Sequence, residues 1–77
     1  MMDNKFISAI DIVKKYGLSY QTVNYYTNLG LLEVLENQGN KRLYDRRDVE
    51  ERLGKITDLK RRGYPLRLIR DEILRRN

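Results

Sequence analysis

Apolar positions first recur at three- and four-residue spacing, where Ala9, Ile12, Val13 and Tyr16 form one stripe of a short helix. Ser8-Ala9-Ile10-Asp11 reads as a capping box at its start. The Ser8 hydroxyl can accept from an orphan backbone N–H, and Asp11 can bond back and meet the positive end of the helix dipole. Gly17 can end this helix in a left-handed conformation. Only two residues later Ser19 offers a second N-cap, so another helix is predicted to run to about Leu29, where Gly30 stops it. Adjacent Tyr25 and Tyr26 cannot both face the same way on that helix. Spacing from Val23 turns Tyr26 inward and Tyr25 outward.

After Gly30 the pattern changes. Leu31 to Glu36 is rich in aliphatic residues, Asn37-Gln38-Gly39-Asn40 supplies turn chemistry, and Lys41 to Tyr44 can return as a partner strand. The apolar run is also compatible with helix by periodicity alone, but the turn cluster and the preceding glycine favour a hairpin. Asp45-Arg46-Arg47-Asp48 is a second capping-box-like signal, followed by Val49, Leu53, Ile56 and Leu59 at helical spacing as far as Gly63. Gly63-Tyr64-Pro65 breaks this longest helix. Pro65 suits the first position of a last one, whose stripe is Leu66, Ile69 and Ile73. Two short helices about a tight turn, a hairpin and two further helices predict a mainly α fold. It is a winged helix-turn-helix with about four helices and a short two-stranded β-hairpin wing, forming a single domain over residues 1–77.

Composition narrows what such a domain can do. Its 77 residues leave room for one small core and no separate catalytic lobe. Cysteine and histidine are both absent, which removes disulfides, thiolate chemistry, the commonest general base and the commonest metal ligands. An enzyme is therefore not expected, nor a metal or other cofactor. No apolar run approaches the ~20 residues needed to span a bilayer, so the chain reads as cytoplasmic and without a membrane partner. The net charge of +5 is unevenly distributed. Residues 1–40 hold three basic and four acidic side chains, residues 41–77 thirteen and seven, so the positive field belongs to the second half. Such a field favours polyanions, although a charged face can also be merely solvated.

Three stretches carry a resemblance. Gly17-Leu18-Ser19-Tyr20-Gln21-Thr22-Val23-Asn24-Tyr25-Tyr26, followed by Gly30-Leu31-Leu32, resembles the recognition helix of the MerR family of transcriptional regulators. Gly39-Asn40-Lys41-Arg42-Leu43-Tyr44-Asp45 resembles that family's wing, and Gly63-Tyr64-Pro65-Leu66 resembles the segment ahead of its fourth helix. The three fall in register over about residues 7 to 74. The resemblance implies the N-terminal winged helix-turn-helix DNA-binding domain of such a regulator, with the second helix in the major groove and the wings, at 37–44 and 62–67, on the phosphate backbone.

Amides on a groove-bound helix can pair bidentately with adenine, which makes Gln21 and Asn24 the candidate base readers, both expected to be exposed. Tyr20 and Thr22 join them, and Tyr25 is assigned to a phosphate, as the family pattern also suggests. The bland alternative is that two amides and a tyrosine solvate a helix face. On the wing, Arg42 matches the family's arginine, suited to a phosphate or a narrow minor groove, and Lys41 adds charge. Arg62, Tyr64 and Arg67 are the candidates around the second wing. Arg46, Arg47, Arg52, Lys55, Arg75 and Arg76 read as ordinary surface, and Tyr16 and Tyr44 as core or boundary.

Two departures from the family stand out. No Lys or Arg lies between Ser19 and Leu29, and Asn24 stands where the family commonly has arginine. Family members also usually continue into a dimerising helix and an effector-sensing region, neither of which is expected within 1–77. The resemblance implies duplex DNA as partner, a homodimer formed on DNA or through regions outside this chain, and RNA polymerase as the machinery affected. A phage or plasmid excision or DNA-packaging factor would keep the fold but load on tandem rather than inverted repeats. A protein-interaction module would turn the basic face to an acidic partner.

Overall fold

The computed structural model describes residues 4–75. Its elements run β1 (Phe6–Ser8), α1 (Ala9–Tyr16), α2 (Tyr20–Leu29), β2 (Val34–Gln38), β3 (Lys41–Asp45), α3 (Arg46–Arg61) and α4 (Leu66–Arg75). Each of the first three helices opens on the cap that the sequence offers. Ser8 Oγ accepts from the Asp11 N–H at 3.2 Å, Ser19 Oγ from Thr22 N–H at 3.0 Å, and Asp45 Oδ1 from Asp48 N–H at 2.9 Å. Pro65 sits one position outside the last helix, with its carbonyl accepting from Leu68 and Ile69 N–H at 3.0 and 3.1 Å.

The end of α2 shows how the chain is turned into the core. Gly30 adopts φ 87°, in the left-handed region that a side chain rarely enters. Its N–H donates to Thr27 O at 3.1 Å, and Leu31 N–H reaches back to Tyr26 O at 2.9 Å. This is the paired closure of a Schellman motif. It drives Leu31 and Leu32 inward, where they are 0% and 2% exposed. Two of the residues assigned to the first hairpin strand are therefore core plugs, and β2 begins later, at Val34. Helix closure takes the N–H groups of Leu31 and Leu32, both directed to Tyr26 O, that a strand would have needed. At the other end β2 extends through Gln38, leaving Gly39 and Asn40 as a two-residue turn. A positive φ of 62° at Gly39, and none at Asn40, fits the primed turns that suit the twist of a hairpin.

A third strand joins the hairpin. The sheet order is β1-β3-β2, with β3 central and antiparallel to both neighbours, and Ile7 lies opposite Tyr44. Arg46 anchors this pairing from the start of α3. Its N–H donates to Lys5 O at 2.8 Å, its Nε to Asn4 O at 2.9 Å and its Nη2 to Phe6 O at 3.0 Å. Arg46 is thus a structural clasp rather than ordinary surface. Arg76, read the same way from sequence, lies outside the described residues.

The core forms where these elements meet. Ile12 of α1, Val23 and Tyr26 of α2, Tyr44 of β3, all four predicted positions of α3, and Ile69 and Ile73 of α4 are buried in one cluster. Val13, Tyr16 and Leu66 pack against it half-buried. Among the described residues no helix is long and apolar enough to cross a membrane.

Candidate nucleic-acid interface

Helix α2 divides into three lengthwise stripes. Val23 and Tyr26 form the core stripe, 0% and 5% exposed. Tyr20, Asn24 and Thr27 follow one another at four and three residues and face β3. Gln21, Tyr25 and Asn28, at the same spacing one position on, are exposed. Side chains this far apart stack along one helix face, so the last set presents two amides and a phenol to solvent.

The β3 side of the junction follows from strand alternation. Arg42 and Tyr44, two residues apart, point to the same face of the sheet. Tyr44 is fully buried, and its hydroxyl lies 2.8 Å from Thr27 Oγ1, which also bonds Val23 O at 2.7 Å. Arg42 Nη2 donates to Asn24 Oδ1, and the Arg42 guanidinium lies 5.9 Å from the centroid of the Tyr20 ring. The hairpin is therefore pinned to α2 through two part-buried contacts. Lys41, opposite Gln38, is exposed beside the turn.

The other end of α2 is held by arginines from two elements. Arg52 of α3 donates through Nη1 to Leu31 O at 2.9 Å and Gly30 O at 3.4 Å, and Arg70 of α4 donates through Nε to Leu29 O at 3.0 Å. Cations at the carbonyl end of a helix satisfy its orphan acceptors and oppose the negative pole of its dipole. Arg52 is thus an anchor of α2, not ordinary surface.

The Gly63 turn lies at the end of α3, whose Lys60 shares a shallow cleft with Tyr16 at the end of α1 and Leu18 in the turn that follows it. Arg62, Tyr64 and Arg67 are all exposed. Arg62 Nη2 also meets Asp58 Oδ2 at 3.1 Å, an exposed pair of the kind that contributes little to stability. No hydrogen bond or salt bridge joins these three side chains to α2 among the described residues.

Of the sequence-predicted set, the structure brings Tyr20, Asn24 and Arg42 into contact, and leaves Gln21, Tyr25 and Lys41 exposed. Asn24 is half-buried rather than exposed, because Arg42 covers it. Thr22 is half-buried, and its Oγ1 accepts from Ser19 Oγ at 2.9 Å, so it belongs to the cap of α2. Asn28 completes the open stripe and was not among the predicted residues. Helical spacing from Gln21 was the signal that would have found it.

A family model described as MerR HTH family regulatory protein matches residues 8–75. No curated protein and no solved structure matches the chain.

Proposed function

Because the chain belongs to the MerR helix-turn-helix family of regulatory proteins, whose members are DNA-binding regulators of transcription rather than enzymes, we propose that it reads duplex DNA with α2 in the major groove. The single observation that carries this reading is the placement of the open Gln21–Tyr25–Asn28 stripe beside a hairpin whose tip carries Lys41 and Arg42. A helix with a two-stranded ribbon at its flank matches a groove bordered by phosphates. Gln21, which has both an amide donor and an acceptor free, reads a base edge. Tyr25 bonds a phosphate, and Lys41 and Arg42 neutralise the backbone beside it. Arg62, Tyr64 and Arg67 extend the backbone contact from the Gly63 turn. Electrostatic affinity comes from the wings and discrimination from α2, consistent with a recognition helix that carries no cation. Two copies on an inverted repeat within a promoter, altering how RNA polymerase engages it, is the regulatory context we propose.

The test is binding to a randomised duplex library, followed by comparison of the selected duplex with its scrambled version at two salt concentrations. A preferred sequence, with affinity falling as salt rises, supports the reading. Binding that tracks polyanion charge alone, with polyglutamate competing as well as the selected duplex, overturns it.

A further inference from the structure

The seam between α2 and the hairpin restricts what Asn24 can do. Arg42 Nη2 donates to Asn24 Oδ1. A guanidinium has donors and no acceptor, so the amide atom facing it must be the oxygen. Bidentate pairing with adenine needs that oxygen to accept from N6 while the amide nitrogen donates to N7. Arg42 takes one of that oxygen's two lone pairs and fixes the way the amide points, so Asn24 is not free to turn for bidentate pairing.

Arg42 in turn is held on two sides, by Asn24 and by the face of the Tyr20 ring. A free arginine loses rotamer entropy when it is fixed on a ligand. One that is already held has less to lose. Of its five N–H donors one is occupied, leaving enough for a bidentate phosphate contact. A neutral acceptor suits this task. A carboxylate would hold the guanidinium harder but cancel its charge, and a second cation would repel it.

We infer that Asn24 is a positioning residue for the wing: with Tyr20 it holds the Arg42 guanidinium at the edge of α2 for a DNA phosphate, and selectivity along the helix rests on Gln21. This rests on the duplex-DNA reading above, and the experiment separates the two. Affinities of wild type, Asn24→Ala, Arg42→Ala, the double variant and Asn24→Asp are measured on the selected duplex and its scrambled version. Thermal unfolding of each free protein is measured in parallel.

Asn24→Ala weakens binding to both duplexes by the same factor, roughly 3- to 10-fold, the effect of one modest hydrogen bond, and leaves the base preference intact. The double variant binds no worse than Arg42→Ala alone, and the two losses in melting temperature are likewise non-additive. Asn24→Asp keeps the melting temperature, because the partner of Arg42 survives, yet binds both duplexes more weakly because the local positive charge does not. Loss of discrimination at one base pair in Asn24→Ala, with scrambled-duplex affinity unchanged, makes Asn24 a reader and overturns the inference. So do additive losses in a protein that binds DNA. A wild type that binds no duplex removes the DNA reading itself, and the positioning role with it.

Discussion

The Tyr16 hydroxyl oxygen is enclosed and has no hydrogen-bond partner among the described residues, while the rest of that side chain is half-buried against the core. A buried polar atom left unpaired loses its water without compensation. Tyr16→Phe should therefore raise stability, by up to about 1 kcal/mol, in urea or thermal unfolding. Burial, followed by the charge of Glu50, pushes the Tyr16 phenol above its ordinary value, with Arg46 pulling the other way. Above the ordinary phenol range the unfolded chain ionises first, so stability falls as pH rises from there through the folded-state value. Melting curves taken through this window should flatten in Tyr16→Phe. Gln21 is the complementary case, an exposed amide with no hydrogen-bond partner among the described residues. Gln21→Ala should leave melting unchanged within about 0.5 kcal/mol while costing about 1 to 3 kcal/mol of discrimination at one base pair. An equal loss of affinity for every sequence would deny it the role of reader.

Helix α2 is set at both ends and along one side. Its N-terminus has the Ser19 cap, its flank the Thr27–Tyr44 and Asn24–Arg42 contacts, and its C-terminus the carbonyl ligands Arg52 and Arg70. Arg52→Ala should cost about 1 kcal/mol and speed hydrogen exchange in the last turn of α2, with α1 unaffected. Exchange rising equally everywhere would show instead a general loss of stability. Gly30→Ala tests the same end through the backbone. A Cβ there would lie 3.6 Å from Leu74 Cδ1, an ordinary contact, so the cost is that of holding alanine at φ 87°. About 1 to 2 kcal/mol of destabilisation is expected from that conformation alone.

For the whole molecule, the question is how many cations meet DNA at once. If Lys41, Arg42, Arg62 and Arg67 all contact phosphates, log affinity should fall against log salt with a slope of about −3 to −4. A slope near −2 would leave only the hairpin on the backbone. The exposed Asp58 partner of Arg62 gives a further handle, since Asp58→Asn frees that guanidinium and should tighten binding to all duplexes alike.

Much of this architecture was legible in the chain itself. Helix starts were marked by Ser8, Ser19 and Asp45, and the buried stripes of α1, α3 and α4 by their period, because caps and amphipathic spacing act within a turn or two of backbone. Helix α2 and the hairpin were likewise readable as motifs, with Gln21 and Arg42 among their residues. What escaped depends on partners distant in sequence. Strand β1 is three residues long, too short to show a period, and exists because β3 and Arg46 meet it across some forty residues. Leu31 and Leu32 looked like strand until helix closure drew their amides back to Tyr26. The sequence alone determined which residues cap, turn and bury, since those are local properties of side chain and backbone. Only the tertiary structure decided that Asn24 faces Arg42 rather than open solvent and that Arg46 and Arg52 are fasteners, because a hydrogen bond has no direction until both partners have a place.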